Sequence, residues 1–276
     1  MLNNRSSYAV VTRLIFILLI LVSCSNIEND KKKAIATDVD IYKKALLLID
    51  QNDFKNASKE FENLLLNYPF SNLALKSEIT SAYSLYEDNQ IQKAINKLNG
   101  FIEMNPSGEL TIYAHYLLGM CYYIQTSQKG RDASLSLKAL KYFQIIEAKY
   151  PNSKYTKDAK LKILYLKNRL AENELEVGKF YLKKNAQISA INRFKVILEK
   201  FQNTSVIPET LYRLSEALLI TGLKEEAQKS IAILNYNFPQ NEWASHSKSL
   251  LVNNLNKNID KGFTQKVKNY FTTIFD

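Results

Sequence analysis

The sequence predicts an all-α fold, an α-solenoid of five helix pairs closed by a capping helix at the carboxy terminus. Three observations carry that expectation. First, one phrase returns along the chain. Residues 67–78 read NYPFSNLALKSE, residues 149–160 read KYPNSKYTKDAK and residues 237–248 read NFPQNEWASHSK, with weaker echoes from Met104 and Lys200. Proline lacks an amide hydrogen and disfavours helix in the residue before it. A Ser, Asn or Thr just after it can accept a bond from a free amide where the next helix starts. The phrase therefore ends one helix and begins another. Pro69, Pro106, Pro151 and Pro239 occupy this slot, and Pro208 stands where a first-turn proline would open a helix. Second, small residues recur in register at Ala57, Ala94, Ala139, Ala190 and Ala227. Third, 46% of the residues are hydrophobic but only 7 are glycine, too few for a turn-rich β protein. Apolar residues recur instead at spacings of three and four, as in residues 57–65.

Residues 1–23 read as an export signal. Arg5 and Arg13 precede the apolar run 14–22, which is too short to span a bilayer at about 20 residues per helix. The run ends in Leu21-Val22-Ser23-Cys24, which resembles the bacterial lipoprotein box, where the cysteine is acylated and becomes the first residue of the mature chain. One acyl chain binds membranes marginally and two or more hold stably, so Cys24 is the expected lipid anchor. Ser25 follows rather than Asp. In Gram-negative lipoproteins Asp there resembles an inner-membrane retention signal, so the expected location is the periplasmic face of the outer membrane. Residues 24–37 are polar and read as a linker.

The repeats occupy 38–241, three pairs in 38–153 and two in 154–241. Four residues after each anchoring alanine come Phe61, Leu98, Phe143, Phe194 and Ile231, and three further on Leu64, Phe101, Ile146, Ile197 and Leu234. Twelve before the anchor stand Ala45, Ala82, Gly178 and Ser215, and Gly119 is the counterpart in the third pair, displaced by an eight-residue insert. Small residues suit a close helix crossing, and the aromatic fills the adjoining hole. This pattern resembles the tetratricopeptide repeat (TPR), a pair of antiparallel helices that stacks into a superhelix with a concave face for peptides or partner domains. The anchor spacings are 37, 45, 51 and 37. The extra residues fall at TSQKGRDASLS (126–136) and in an unusually long helix, about 154–184. Residues 242–276 form a helical extension whose end puts Phe263, Val267, Tyr270, Phe271 and Ile274 on one stripe. That stripe suits a cap on the solenoid or contact with a partner or membrane.

Nothing in the sequence points to catalysis. His115 and His246 are the only histidines, and no paired-histidine metal motif, glycine-rich dinucleotide fingerprint or phosphate loop is present. His115 and Cys121 lie six residues apart, about 240° around a helix, so they do not form a dyad. No residues remain for the separate catalytic domain of a lytic transglycosylase, an α-solenoid enzyme. No cofactor or metal is expected. Cys121, in the apolar YLLGMCYY, reads as a buried, inert thiol. The net charge of +10 falls to +8 without Arg5 and Arg13, and the cations are scattered among acids, so a solvated surface rather than a nucleic-acid face is expected.

Five segments carry a closer resemblance: YPFS (68–71), RD (131–132), YPNSKYTKDA (150–159), LKNRLAENELEV (166–177) and INRF (191–194). Together, in order and with matching insert positions over roughly 38–243, they resemble the BamD family, lipoprotein subunits of the outer membrane β-barrel assembly machine. That resemblance implies a scaffold anchored by lipid. Its first repeats receive the carboxy-terminal strand of unfolded barrel proteins. Its last repeats dock on a POTRA domain of a BamA-like barrel subunit, beside other assembly-machine lipoproteins. Carried onto this chain, the resemblance makes Arg193 of INRF, with Asn192 and Arg169, the partner-binding candidates. On a helix Arg193 points about 100° away from the seam marked by Phe194. Tyr68, Phe70, Tyr83 and Tyr86 are the candidates for holding the client strand, and packing within or between repeats is the competing reading. KNAQ (184–187) stands where the family often has Gly-Ala. The alternative is another periplasmic TPR lipoprotein, serving pilus assembly or cell-wall coordination, which would share the lipobox and repeats but not LKNRLAENE and INRF.

Overall fold

The computed structural model describes residues 36–128 and 133–254, and these contain eleven helices and no strand. The helices are α1 (Asp38–Asp50), α2 (Phe54–Asn67), α3 (Ala74–Glu87), α4 (Ile91–Met104), α5 (Glu109–Gln128), α6 (Ala133–Lys149), α7 (Thr156–Lys183), α8 (Gln187–Lys200), α9 (Ile207–Ile220), α10 (Lys224–Asn237) and α11 (Glu242–Asn254). The first ten make five antiparallel pairs, and α11 packs on α9 and α10. The expected signal, Cys24, the linker to residue 35, the Arg131-Asp132 pair and the stripe at 263–274 lie outside the described residues.

Thr37 begins α1 with a capping box. Its Oγ1 accepts from the Asp40 amide at 3.2 Å and its own amide donates to Asp40 Oδ2 at 3.1 Å. Within four of the pairs the turn is tight and its pivot is left-handed: Asn52 (φ 59°), Asn89 (58°), Asn185 (56°) and Gly222 (81°). Asn tolerates that region better than other side chains do. The amide after each pivot reaches back to close the helix end, from Asp53 to Leu48 O, Gln90 to Leu85 O, Ala186 to Tyr181 O and Leu223 to Leu218 O at 2.8–3.0 Å. Asn185 thus performs in KNAQ the turn for which the resemblance expects glycine.

The proline phrases join one pair to the next. Their small polar residues act differently from the expected helix cap. Ser71 and Ser153 accept from the amides of Leu73 and Tyr155, at 3.0 and 3.2 Å, inside the turn. Leu73 and Tyr155 then occupy the cap positions of α3 and α7 without a side-chain bond. Pro208 sits in the first turn of α9.

The small-residue register is the packing register. Ala45, Ala57, Ala82, Ala94, Ala139, Ala190, Ser215 and Ala227 are buried, as are Phe61, Leu98, Phe143, Phe194 and Ile231. A Cβ on Gly119 would stand 2.8 Å from Phe143 Cε1, so the ring lies directly on the glycine backbone. Buried residues from Ala139 to Ala244 form one cluster, continuous across residues 153 and 154. Beyond consecutive contacts, α3 meets α5, α7 meets α9 and α9 meets α11, whereas the second helices of successive pairs do not come as close. The first helices of the second to fifth pairs therefore lie on the tighter, inner side of the curve.

Candidate interaction surfaces

The inner helices carry two different chemistries. Toward the amino terminus the surface is tyrosine. Tyr83 and Tyr86 of α3 are half-buried against the cluster formed by α3, α4 and α5, and Tyr83 meets Phe54 edge-on with centroids 6.3 Å apart. Tyr113 and Tyr116 of α5 stack on Tyr155 at 5.5 and 4.9 Å. Tyr116 Oη donates to Asp158 Oδ2 at 2.7 Å, and Lys162 Nζ donates to the same carboxylate at 2.7 Å. Toward the carboxy terminus the surface is an ion network. Lys179 of α7 reaches Glu176 and Glu209, Arg213 of α9 reaches Glu209 and Glu216, and the Arg213 guanidinium lies 5.3 and 5.1 Å from the rings of Tyr212 and Trp243.

The four aromatic candidates separate. Tyr83 and Tyr86 share the tyrosine surface, while Tyr68 and Phe70 belong to the turn between α2 and α3. Tyr68 Oη donates to Ala36 O at 2.8 Å, and nearby Ser71 Oγ donates to Asp38 Oδ2 at 2.5 Å, tying that turn to the start of α1. Phe70 is 99% exposed, so it packs on nothing among the described residues. Tyr113, Tyr116 and Tyr155 are additional members of the surface. Their signal in the sequence was the Tyr113/Tyr116 spacing of three within an otherwise apolar helix, which lays both rings on one face.

The long helix α7 is a spine from which the LKNRLAENE segment ties three neighbours. Asn168 Oδ1 accepts from the amide and hydroxyl of Ser205 at 2.8 and 3.0 Å. Arg169 Nη2 donates to Thr126 O at 2.8 Å and Nη1 to Tyr165 Oη at 3.3 Å, which places a cation in the last turn of α5, where exposed carbonyls favour it. Glu174 accepts from Arg193 Nη1 of α8 at 3.1 Å. That bond and the carboxylate's charge push the Arg193 pKa up, so the guanidinium is a permanent cation. Arg193 and Arg169 are both half-buried, and Asn192 beside Arg193 is exposed. Arg193 thus turns away from the Phe194 seam as its position on the helix requires, and it engages a carboxylate of its own chain.

Burial pushes the Cys121 thiol up to about 12, and burial with Lys149 lowers the His115 pKa, keeping that ring neutral at pH 7. Among the described residues no group of three His, Cys, Asp or Glu could hold a metal ion, and no helix is long and apolar enough to cross a membrane.

The family described as YfiO, outer membrane lipoprotein, matches residues 35–234. The outer membrane protein assembly factor BamD of Rickettsia prowazekii is 33% identical over 244 residues, 88% of this chain and 97% of that protein. The BamD of Caulobacter vibrioides is 36% identical over 206 residues, 75% of this chain and 68% of its own length. That of Neisseria meningitidis serogroup A is 28% identical over 217 residues, 75% and 81% of the two chains. The match runs from before α1 into α10, through every tie that α7 makes, and the chain belongs to the YfiO/BamD family of outer membrane assembly lipoproteins.

Proposed function

We propose that this chain is the lipid-anchored periplasmic scaffold of an outer membrane β-barrel assembly machine. In this reading Cys24 carries the acyl chains, and the linker lets the solenoid hang from the membrane. The tyrosine surface of α3 and α5, with Tyr83 and Tyr86, receives the carboxy-terminal strand of an unfolded barrel protein, and Tyr68 and Phe70 flank it. Arg193, with Asn192, docks on a POTRA domain of a BamA-like subunit, and Arg169 holds α7 to α5 so that the docking helices stay in register. The observation that carries the reading is family membership over residues 35–234 combined with Arg193 half-open to solvent on α8, off the packed seam.

The test is a paired titration of the purified full-length protein in detergent, against the isolated POTRA domain and against a barrel protein's carboxy-terminal peptide. Arg193→Ala is the informative variant, because Arg193→Glu would also set a second carboxylate against Glu174. It should keep the helical circular dichroism of the parent and bind the peptide normally. It should bind the POTRA domain about 10- to 100-fold more weakly, as expected for loss of one partner of a charged contact that is partly desolvated. Wild-type POTRA affinity would remove Arg193 from the interface. Separately, Cys24→Ser should leave the chain unable to float with outer membranes when the barrel subunit is absent.

A further inference from the structure

We propose that Glu174 is a built-in competitor for Arg193: it weakens docking of any partner carboxylate, and so sets how acidic and how well placed a partner surface must be. This rests on the reading of Arg193 as a docking residue. Glu174 Oε2 lies 3.1 Å from Arg193 Nη1 and Oε1 lies 3.5 Å from it. The side chains are 28% and 43% exposed, so the pair is reachable from solvent. Arginine carries five donors in a planar fork, and a carboxylate that takes two arms both neutralises and fixes it. Here both oxygens face one arm. The contact therefore supplies a full countercharge through one arm, and the Tyr181 side chain also bonds the guanidinium. An approaching carboxylate meets a near-neutral pair instead of a cation, and it meets the negative charge of Glu174 at contact range. That repulsion grows as docking excludes water and the local dielectric falls. Pre-orientation of the fork acts in the opposite direction, but the Tyr181 bond does not depend on Glu174, so Glu174→Gln removes the countercharge and keeps that orientation.

The neighbouring acids do not play this part. Glu176 is matched by Lys179, and Glu209 and Glu216 are matched by Arg213. Glu174 is the carboxylate that occupies the guanidinium offered to the partner.

The experiment measures equilibrium and association kinetics of the full-length protein in detergent with the isolated POTRA domain, at two salt concentrations. The variants are Glu174→Gln, Arg193→Ala and the double variant. Gln keeps the shape and the acceptor for Nη1, and an unchanged circular dichroism spectrum and melting temperature would check the fold. Glu174→Gln should bind about three- to fivefold tighter, the scale of a half-exposed charge interaction. The gain should lie partly in the association rate and should shrink at high salt, which a merely structural role would not produce. In the Arg193→Ala background the same change should have a clearly smaller effect, because only the direct repulsion between Glu174 and the partner carboxylate is left to remove. Unchanged or weaker binding by Glu174→Gln, with Arg193→Ala still weak, overturns the inference and leaves the docking reading standing. Equal tightening with and without Arg193 overturns it in favour of a general charge effect. Wild-type binding by Arg193→Ala overturns the docking reading and the inference with it.

Discussion

Gly178 of α7 lies so close to Phe194 of α8 that a Cβ on the glycine would stand 2.4 Å from the ring's Cε1. The ring is fully buried, so it has no open space into which to retreat. Gly178→Ala should therefore destabilise the protein although alanine is the better helix former. Overpacking costs about 1–3 kcal/mol, against about 1 kcal/mol gained in helix propensity. Gly100 provides the control. It lies in α4 with nothing within 4 Å of its missing Cβ, so Gly100→Ala should stabilise by about 0.5–1 kcal/mol. Thermal unfolding of the two variants should shift in opposite directions, and a gain for Gly178→Ala would show that α7 and α8 can part without cost.

The left-handed pivots make a second prediction. Asn185 holds φ 56° between α7 and α8, the two helices that carry Arg169 and Arg193. Asn185→Gly should be close to neutral, and Asn185→Val should cost more than about 1 kcal/mol, because a β-branched side chain clashes there. Urea midpoints would measure this. Equal stability of the two variants would mean that the turn relaxes to another conformation.

Cys121 supplies a chemical prediction. The thiolate is the reactive form, and burial raises this thiol to about 12. At pH 8 a maleimide should leave Cys121 unlabelled in the native protein and modify it once the protein is unfolded in guanidinium. Rapid native labelling would place the residue at an opening in the α5 packing.

Much of the fold was legible because it depends on spacing. A small residue and an aromatic four apart, repeated at Ala139/Phe143 and Ala190/Phe194, fix which faces meet, and proline marks where helices end. The small residue that precedes the third anchor, Ala139, could be found at Gly119 only by allowing for the insert, and its burial against Phe143 agrees with that placement. The interaction surfaces were less legible. Tyr116 and Asp158 are 42 residues apart and Glu174 and Arg193 are 19 apart, and each pair meets only because helices stack at a particular pitch. Exposure was also hidden. YPFS gave no sign that Tyr68 anchors to Ala36 while Phe70, two residues on, projects freely.

Asp158 links the tyrosine surface to pH. Its carboxylate accepts from Tyr116 Oη and Lys162 Nζ, both at 2.7 Å. Burial alone would raise its pKa, but the hydrogen bonds from Lys162 and Tyr116 and the charge of Lys162 outweigh burial and hold it below the ordinary carboxylate value. The same contact, after burial, raises the Tyr116 pKa, because the donor must keep its proton. A carboxylate with a depressed folded-state pKa contributes stability that is fully present above its unfolded value of about 3.9 and is lost as pH falls through the folded value. Asp158→Asn should therefore be less stable than the parent at pH 7, and the gap should narrow as pH falls from about 5 toward 2. Tyr116→Phe removes one of the supporting bonds, so it should move the parent's acid transition toward higher pH without abolishing it. Because Tyr116 also stacks on Tyr155, circular dichroism in the near ultraviolet should report loss of this tyrosine packing along with the stability change. The measurement is a series of urea midpoints across pH for the three proteins. A gap between parent and Asp158→Asn that stays constant from pH 7 to pH 2 would show that shape, and not the charge of Asp158, is what joins α5 to α7.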